Sequence, residues 1–380
     1  MAINESNLNS KIWLSPPHMS GHEQEFIAEA FKFNWIAPLG PNVNGFEKDI
    51  EKYLNHNSFA TVLSSGTAAL HLALVLLGIN KGDEVICQTK TFVASVNPVT
   101  YLGANPIFVD SELDTWNMCP VLLEKTINER IKKGKKPKAI IVINLYGMPY
   151  HVNHIHAISK KYNIPVVEDS AEAFGSHVND QKCGTFGDYS ILSFNGNKII
   201  TTSGGGALIC RNQTLKDRTV FLATQAKEVG QEYEHKTIGY NYRMSNVIAG
   251  IGRGQMKVLD EYVEKRRANY NYYYQHLNTI ESISFLKEPK TYYSNRWLTC
   301  IVLGSKETRD DLLTLLNKNN IEARPSWKPM HLQPLYKDAP AYLNGVSNNL
   351  YEKGLCLPSG SNLQEKDLER IVKLIQAYFE

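Results

Sequence analysis

A chain of 380 residues, 43% hydrophobic and 21% charged, can bury a sizeable core and has the composition of an ordinary globular protein, which excludes disordered and fibrous classes. Its net charge of +3 is close to neutral for that length, and the densest basic run, Lys132 to Lys138, reads as a solvated loop, so no nucleic-acid partner is expected. The six cysteines are scattered without a C-x-x-C pair, as small hydrophobes in a reducing compartment would be.

Taken in order, the N-terminus is polar around Asn4, Glu5, Ser6 and Asn7 and has no apolar stretch of the signal-peptide kind. The longest apolar runs are strand-sized, short of the ~20 residues that span a bilayer. A cytoplasmic protein with no membrane partner is expected. Residues 1 to 45 carry the loop signals Ser15-Pro16-Pro17 and Pro38-Leu39-Gly40-Pro41 around a short helix, His22 to Phe33, and read as an arm laid over a domain.

Strand-like runs follow at Ala60 to Ser64, Glu84 to Thr89, Asn105 to Ser111, Ala139 to Leu145, Ile164 to Ser170, Tyr189 to Asn195 and Ala207 to Arg211. The first is followed by Ser65-Gly66-Thr67 and a helix, Ala68 to Leu77, and segments of helical length separate the first five runs. Seven strands, mostly apolar on both faces, predict an α/β fold with a mostly parallel seven-stranded sheet covered by helices on both sides. The texture changes near residue 245. A continuous helix-like stretch from Ser245 to Leu277 leads to strands at Ile283 to Leu286 and Trp297 to Leu303, then to helices at Thr308 to Asn319 and Glu365 to Phe379. The chain therefore divides into an arm plus large domain over 1–245 and a smaller α+β domain over 246–380.

Chemistry concentrates in the large domain. The turn Ser65-Gly66-Thr67 opens a helix directly after a strand, where orphan N–H groups and the helix dipole favour a phosphate, although such residues cap most helices in any case. Asp169 and Glu172 stand just past a buried strand, where open parallel sheets place ligands; a helix cap is the plainer alternative. Phe92 follows the strand ending near Thr89 and can be a stacking platform or a core residue. Lys198 is presented by the Asn195-Gly196-Asn197 turn between two buried strands, ahead of Gly204, Gly205 and Gly206, which permit φ > 0 or close approach to a bound group. Ser193 adds a hydroxyl. A phosphate turn, a stacking aromatic, an acid for a pyridine nitrogen and a lysine on a restricted loop are together the contacts that pyridoxal phosphate requires.

The segments SSGTAALHLAL, TFVAS, VVEDSAEAFGS, SFNGNKIITTSGGG and GYNYRMSN, in this order, resemble the DegT/DnrJ/StrS family of sugar-nucleotide aminotransferases, of PLP fold type I, over essentially the whole chain. Within it, SPPHMSG, NWIAPLG and RPSWKPMH are most similar to the bacillosamine-pathway aminotransferases that make UDP-4-amino-4,6-dideoxy-N-acetylglucosamine. Ser203-Gly204-Gly205-Gly206 stands where many members carry Gly-Glu-Gly-Gly, a form associated with the bacillosamine branch, and Lys198 argues against the dehydratase offshoot, which has histidine there. The resemblance implies that Lys198 is the covalent anchor of the cofactor and the proton carrier. It implies that Phe92 stacks on the ring, Asp169 pairs with its nitrogen and Glu172 lies near its hydroxyl. Gly66, Thr67 and Ser193 would hold the phosphate together with Asn241 from the second subunit of a homodimer. Asn34, Trp35, Ile36, Ala37, Arg324, Trp327, Lys328 and His331 would hold the nucleotide sugar, and L-glutamate would be the donor. The alternatives are an aminotransferase for a dTDP-linked 3-keto or 4-keto hexose, or a non-catalytic regulator on the same fold.

Overall fold

The computed structural model describes residues 10–55 and 57–380; the polar stretch Asn4 to Asn7 lies outside that range. All seven expected strands of the large domain form: β1 (Phe59–Leu63), β2 (Glu84–Gln88), β3 (Asn105–Val109), β4 (Ala139–Ile143), β5 (Val166–Asp169) and, after the two-residue strands β6 (His177–Val178) and β7 (Gln181–Lys182), β8 (Tyr189–Ser193) and β9 (Gly206–Cys210). The C-terminal half adds β10 (Ile283–Phe285), β11 (Tyr292–Tyr293), β12 (Thr299–Leu303), β13 (Arg324–Pro325), β14 (Ala341–Tyr342) and β15 (Gly354–Leu357).

The main sheet runs β1-β9-β8-β5-β4-β2-β3-β14. It has eight strands where sequence periodicity gives seven, because the two residues of β14 pair in parallel with β3 at the edge. Only β9 runs against the others. Successive residues of the central strands enter opposite cores, as a period of two demands. Val85, Cys87, Ile141 and Ile143 join one core with the helix Gly66–Leu76, while Ile86, Ile140 and Val142 join the other with Leu123, Ile127, Ile155 and Ile158 of the helices Pro120–Lys132 and Val152–Tyr162. Burial on both faces explains why these strands are rich in Val and Ile without polar alternation.

The expected continuous helix over 245–277 is two helices, Asn246–Met256 and Leu259–Leu277, broken at Lys257 and Val258. The first packs against the helices Glu23–Lys32 and Pro41–Leu54, and the second against Glu365–Phe379. A third core, with Tyr273, Leu277, Ile301, Leu316, Leu355 and Ile371, lies beneath the antiparallel sheet β10-β12-β15-β13. Cys300 and Cys356, far apart in sequence, face each other across β12 and β15 with unbonded sulfurs 3.2 Å apart. Among the described residues no helix is long and apolar enough to cross a membrane.

Candidate active site

One cavity of about 320 Å³ opens at the carboxyl ends of β5, β8 and their neighbours, where an open parallel sheet leaves room for a ligand. Its wall begins at Ser65, the N-cap of Gly66–Leu76, whose hydroxyl accepts from the Ala68 N–H at 3.0 Å. The next N–H groups, at Gly66 and Thr67, have no acceptor within the helix and border the cavity. The turn is tightly fitted. A Cβ on Gly66 would come within 3.2 Å of the Ser193 Cβ, and one on Gly206 would collide with the backbone nitrogen of Gly66. Within the triple glycine, Gly206 is thus required by close approach of backbone to backbone, Gly205 by the side chains of Thr202 and Met244, while Gly204 faces open space. None of the three has positive φ; that conformation falls on Ser203, at +73°.

Lys198 sits in the connection between the antiparallel neighbours β8 and β9, in a turn closed by its own N–H donating to the Asn195 carbonyl at 3.0 Å. Its side chain is 14% exposed, with Nζ 3.9 Å from Glu172 Oε1 and 4.2 Å from the centre of the Trp297 ring. Burial pushes its pKa down, partly offset by Glu172 and then Asp169. The neutral amine, the form able to attack a carbonyl or take a proton, is thereby favoured.

Asp169 ends β5. It is buried, its Oδ2 accepts from Ser95 Oγ at 2.6 Å, and its Oδ1 accepts from the Ala171 N–H at 3.1 Å. Burial raises its pKa, against the pull of those two donors and of Lys198. A protonated ring nitrogen in the cavity would supply the missing cationic partner and restore the carboxylate. Glu172, whose pKa burial also raises, accepts from the Tyr146 N–H at 2.7 Å and the Trp327 Nε1–H at 3.3 Å. Tyr146 reaches it from the left-handed region, φ 54°. Glu168, on the opposite face of β5, is fully buried and takes no part in the cavity; it accepts from Asn144, Ser170, Ser190 and the N–H groups of Gly184, Phe186 and Gly187. Phe92 lines the cavity with 54% of its surface exposed, so it is no core residue.

Of the residues singled out in the sequence, the cavity gathers Lys198, Gly66, Thr67, Phe92, Asp169, Glu172, Ser193 and Trp327. The others lie away from its wall. Asn34, Trp35, Ile36 and Ala37 are exposed, with the carbonyls of Trp35 and Ala37 held by Asn246. Arg324 pairs with Glu322, two residues back on the same side of an extended segment. Lys328 is half-buried, and His331 Nδ1 is bonded to Thr89 Oγ1 at 2.7 Å. Asn241 is exposed and bridged to Thr224. Sequence reasoning missed Trp297, Asn195, Asn197, Thr91 and Ser95, which also line the cavity. Thr91 and Ser95 within TFVAS, and Asn195 and Asn197 within SFNGNKIITTSGGG, lay in motifs already noted without being assigned a role; Trp297 carried no signal. Sequence reasoning also missed Lys90, fully buried, whose Nζ donates to Ser326 Oγ and the Trp327 carbonyl, both at 3.0 Å; burial lowers its pKa to about 8.

The donor set fits pyridoxal phosphate. A helix N-terminus flanked by hydroxyls suits the phosphate, Phe92 offers an exposed ring, Asp169 a buried acid and Lys198 a depressed amine. Comparisons with known proteins agree. The chain is 46% identical to EpsN of Bacillus subtilis (strain 168), provisionally named a pyridoxal phosphate-dependent aminotransferase, over 98% of this chain and 97% of that one. It is 38% identical to GDP-perosamine synthase of Escherichia coli O157:H7, over 96% and 97% of the two chains. A DegT DnrJ EryC1 StrS aminotransferase from Brucella abortus superposes with a TM-score of 0.89 at 29% identity, over 94% of this chain and 95% of that one. Residues 17–376 match the DegT/DnrJ/EryC1/StrS aminotransferase family, and the chain belongs to it, as a transaminase that uses pyridoxal phosphate.

Proposed function

We propose that the enzyme moves the amino group of L-glutamate to the 4-keto carbon of a UDP-linked 4-keto-6-deoxy-N-acetylhexosamine, giving UDP-4-amino-4,6-dideoxy-N-acetylglucosamine for bacterial glycan synthesis. The observation that carries the reaction type is the meeting of Lys198, Asp169, Phe92 and the Gly66 helix start in one cavity. The sugar rests on the strings SPPHMSG, NWIAPLG and RPSWKPMH.

When bound, pyridoxal phosphate serves as electron sink and carries the amino group from donor to acceptor. The residues around it have separate tasks. The N–H groups of Gly66 and Thr67 and the Ser193 hydroxyl would hold its phosphate, Asp169 would keep a proton on its ring nitrogen, and Phe92 would stack on the ring. Nζ of Lys198 would take up the proton lost from the donor's α-carbon and hand it on within that half-reaction, and in the second half-reaction would deliver one to the sugar carbon that receives nitrogen. Glu172, 3.9 Å away, would steady the transient ammonium form within each transfer. Trp327 borders the acceptor side. Asn241 and the exposed apolar side chains Val229, Tyr233 and Ile238 beside it, with Phe31, Trp35 and Ile36 on the arm, support a homodimer in which Asn241 completes the partner's phosphate site.

The likeness to GDP-perosamine synthase favours a second reading, in which the acceptor is GDP-linked. A single-turnover experiment separates them. The enzyme is treated with L-glutamate, freed of donor and given UDP-4-keto-6-deoxy-N-acetylglucosamine, while the cofactor's visible absorbance and the product mass are followed. Recovery of the original absorbance with formation of the 4-amino sugar is expected. Recovery only with a GDP-linked keto sugar would move the assignment to that class, and no change with glutamate would overturn the donor.

A further inference from the structure

Two buried cations, Lys90 and Arg266, have no ion-pair partner among the described residues, and each donates to the backbone carbonyl of a cavity tryptophan. Lys90 holds Trp327 and Arg266 holds Trp297. Burying an unpaired charge is costly unless hydrogen bonds compensate it, so the placement of these carbonyls is strongly determined.

The Arg266 arrangement extends to the reacting group. Its Nη1 donates to the Trp297 carbonyl at 2.6 Å and its Nη2 to Ser15 Oγ at 3.0 Å. Trp297 Nε1–H and Ser15 Oγ–H in turn both donate, at 2.7 Å each, to one acceptor, the carbonyl of Asn197. That carbonyl opens the peptide bond to Lys198, and the face of the same indole lies 4.2 Å from Lys198 Nζ. Three segments remote in sequence, the arm at Ser15, the helix at Arg266 and the chain before β12 at Trp297, thus converge on the peptide that carries the lysine.

We propose that Trp297 is a positioning residue for Lys198, fixing the lysine turn through its N–H and the ammonium through its ring face, with Ser15 as the second donor to that turn and Arg266 holding both donors in place. The indole face attracts the charged form of the lysine, and the Asn197 carbonyl, accepting two hydrogen bonds, fixes the path of the side chain into the cavity. A lysine displaced by a fraction of an ångström would still bind both substrates while transferring protons more slowly.

This inference rests on the transaminase reading above, and its test is partly independent of it. Trp297→Phe keeps a ring and removes the N–H; Ser15→Ala removes the second donor at little steric cost. In steady state each variant should lower kcat, Trp297→Phe by about tenfold as for loss of one well-formed hydrogen bond, with KM for both substrates within about twofold. In the protein freed of cofactor, hydrogen exchange at the Lys198 amide and modification of its Nζ by trinitrobenzenesulfonate should both accelerate. Wild-type kcat with wild-type exchange in both variants would overturn the proposal, as would an effect on KM alone. If Trp297→Phe does not fold, Ser15→Ala decides it by the same readouts. A wild-type protein inactive with every keto sugar would refute the proposed function instead, and the exchange and modification rates would still judge the role of Trp297.

Discussion

At Lys198 the protein holds a cation where burial disfavours charge, between two acids whose pKa values burial raises. The three groups therefore compete for protons, which suits a site whose work is moving them. Lys198→Ala should abolish turnover while leaving the far-ultraviolet circular dichroism and the melting temperature near wild type; retained turnover with both substrates would refute the anchor role. Asp169→Ala removes the acid proposed to pair with the ring nitrogen. Loss of one member of a buried pair costs roughly 3–5 kcal/mol, so cofactor should wash out on dialysis and the rate should fall with it, and wild-type retention would count against the ring-nitrogen role. Lys198, Asp169 and the Ser65-Gly66-Thr67 turn were legible because each carries a local signal: a turn, a strand end, a helix cap. Arg324 was not, because neighbours on an extended segment face opposite ways, and its side chain turns to Glu322 while Trp327 lines the cavity. Trp297 left no trace, since it meets Lys198 from about a hundred residues away.

Among the elements, strands were read more securely than the pieces that hold them together. The helix Glu365–Phe379 coincides with its expected span because it is amphipathic and capped by Gln364 and Asp367. Pro41–Leu54 was hidden by Pro38-Leu39-Gly40-Pro41, which reads as a loop, although Pro41 is at the first helical position, where its missing N–H costs nothing. The arm helix Glu23–Lys32 is tied down by Glu23, which accepts from the Ser20 and Gly21 N–H groups, from Ser20 Oγ and from Gln255 of Asn246–Met256. Burial alone would raise its pKa, but these donors, led by the Ser20 N–H, lower it to about 2 from an ordinary 4.5. A depressed carboxylate contributes stability that is complete above its unfolded pKa and is lost as pH falls through the folded one. Melting temperature should therefore drop between pH 4.5 and about 2 in part through this group. Glu23→Gln should flatten the drop in that window and be less stable than wild type at neutral pH; an unchanged acid profile would show that the arm is held by other contacts.

Over the whole molecule the two halves are joined by shared sheets as well as by packing. β14 completes the edge of the main sheet beside β3, and β11 pairs with β6 in a small sheet of its own. The sequence suggested a large and a small domain from the change in texture near residue 245, and it could not show these exchanges, because two-residue strands have no periodicity to read. Their consequence concerns synthesis on the ribosome. Until Ala341 and Tyr342 emerge, the Asn105–Val109 strand presents a row of unpaired N–H and C=O groups, the template on which other chains add. A chain carrying Ala341→Pro and Tyr342→Pro, which keeps the third core but removes the N–H groups of β14, should accordingly aggregate more readily than wild type, measured by sedimentation after refolding; unchanged dispersal would show that the edge guards itself. Ala341 and Tyr342 thus serve Asn105–Val109, more than two hundred residues earlier, as a seal fitted long after that strand has been made.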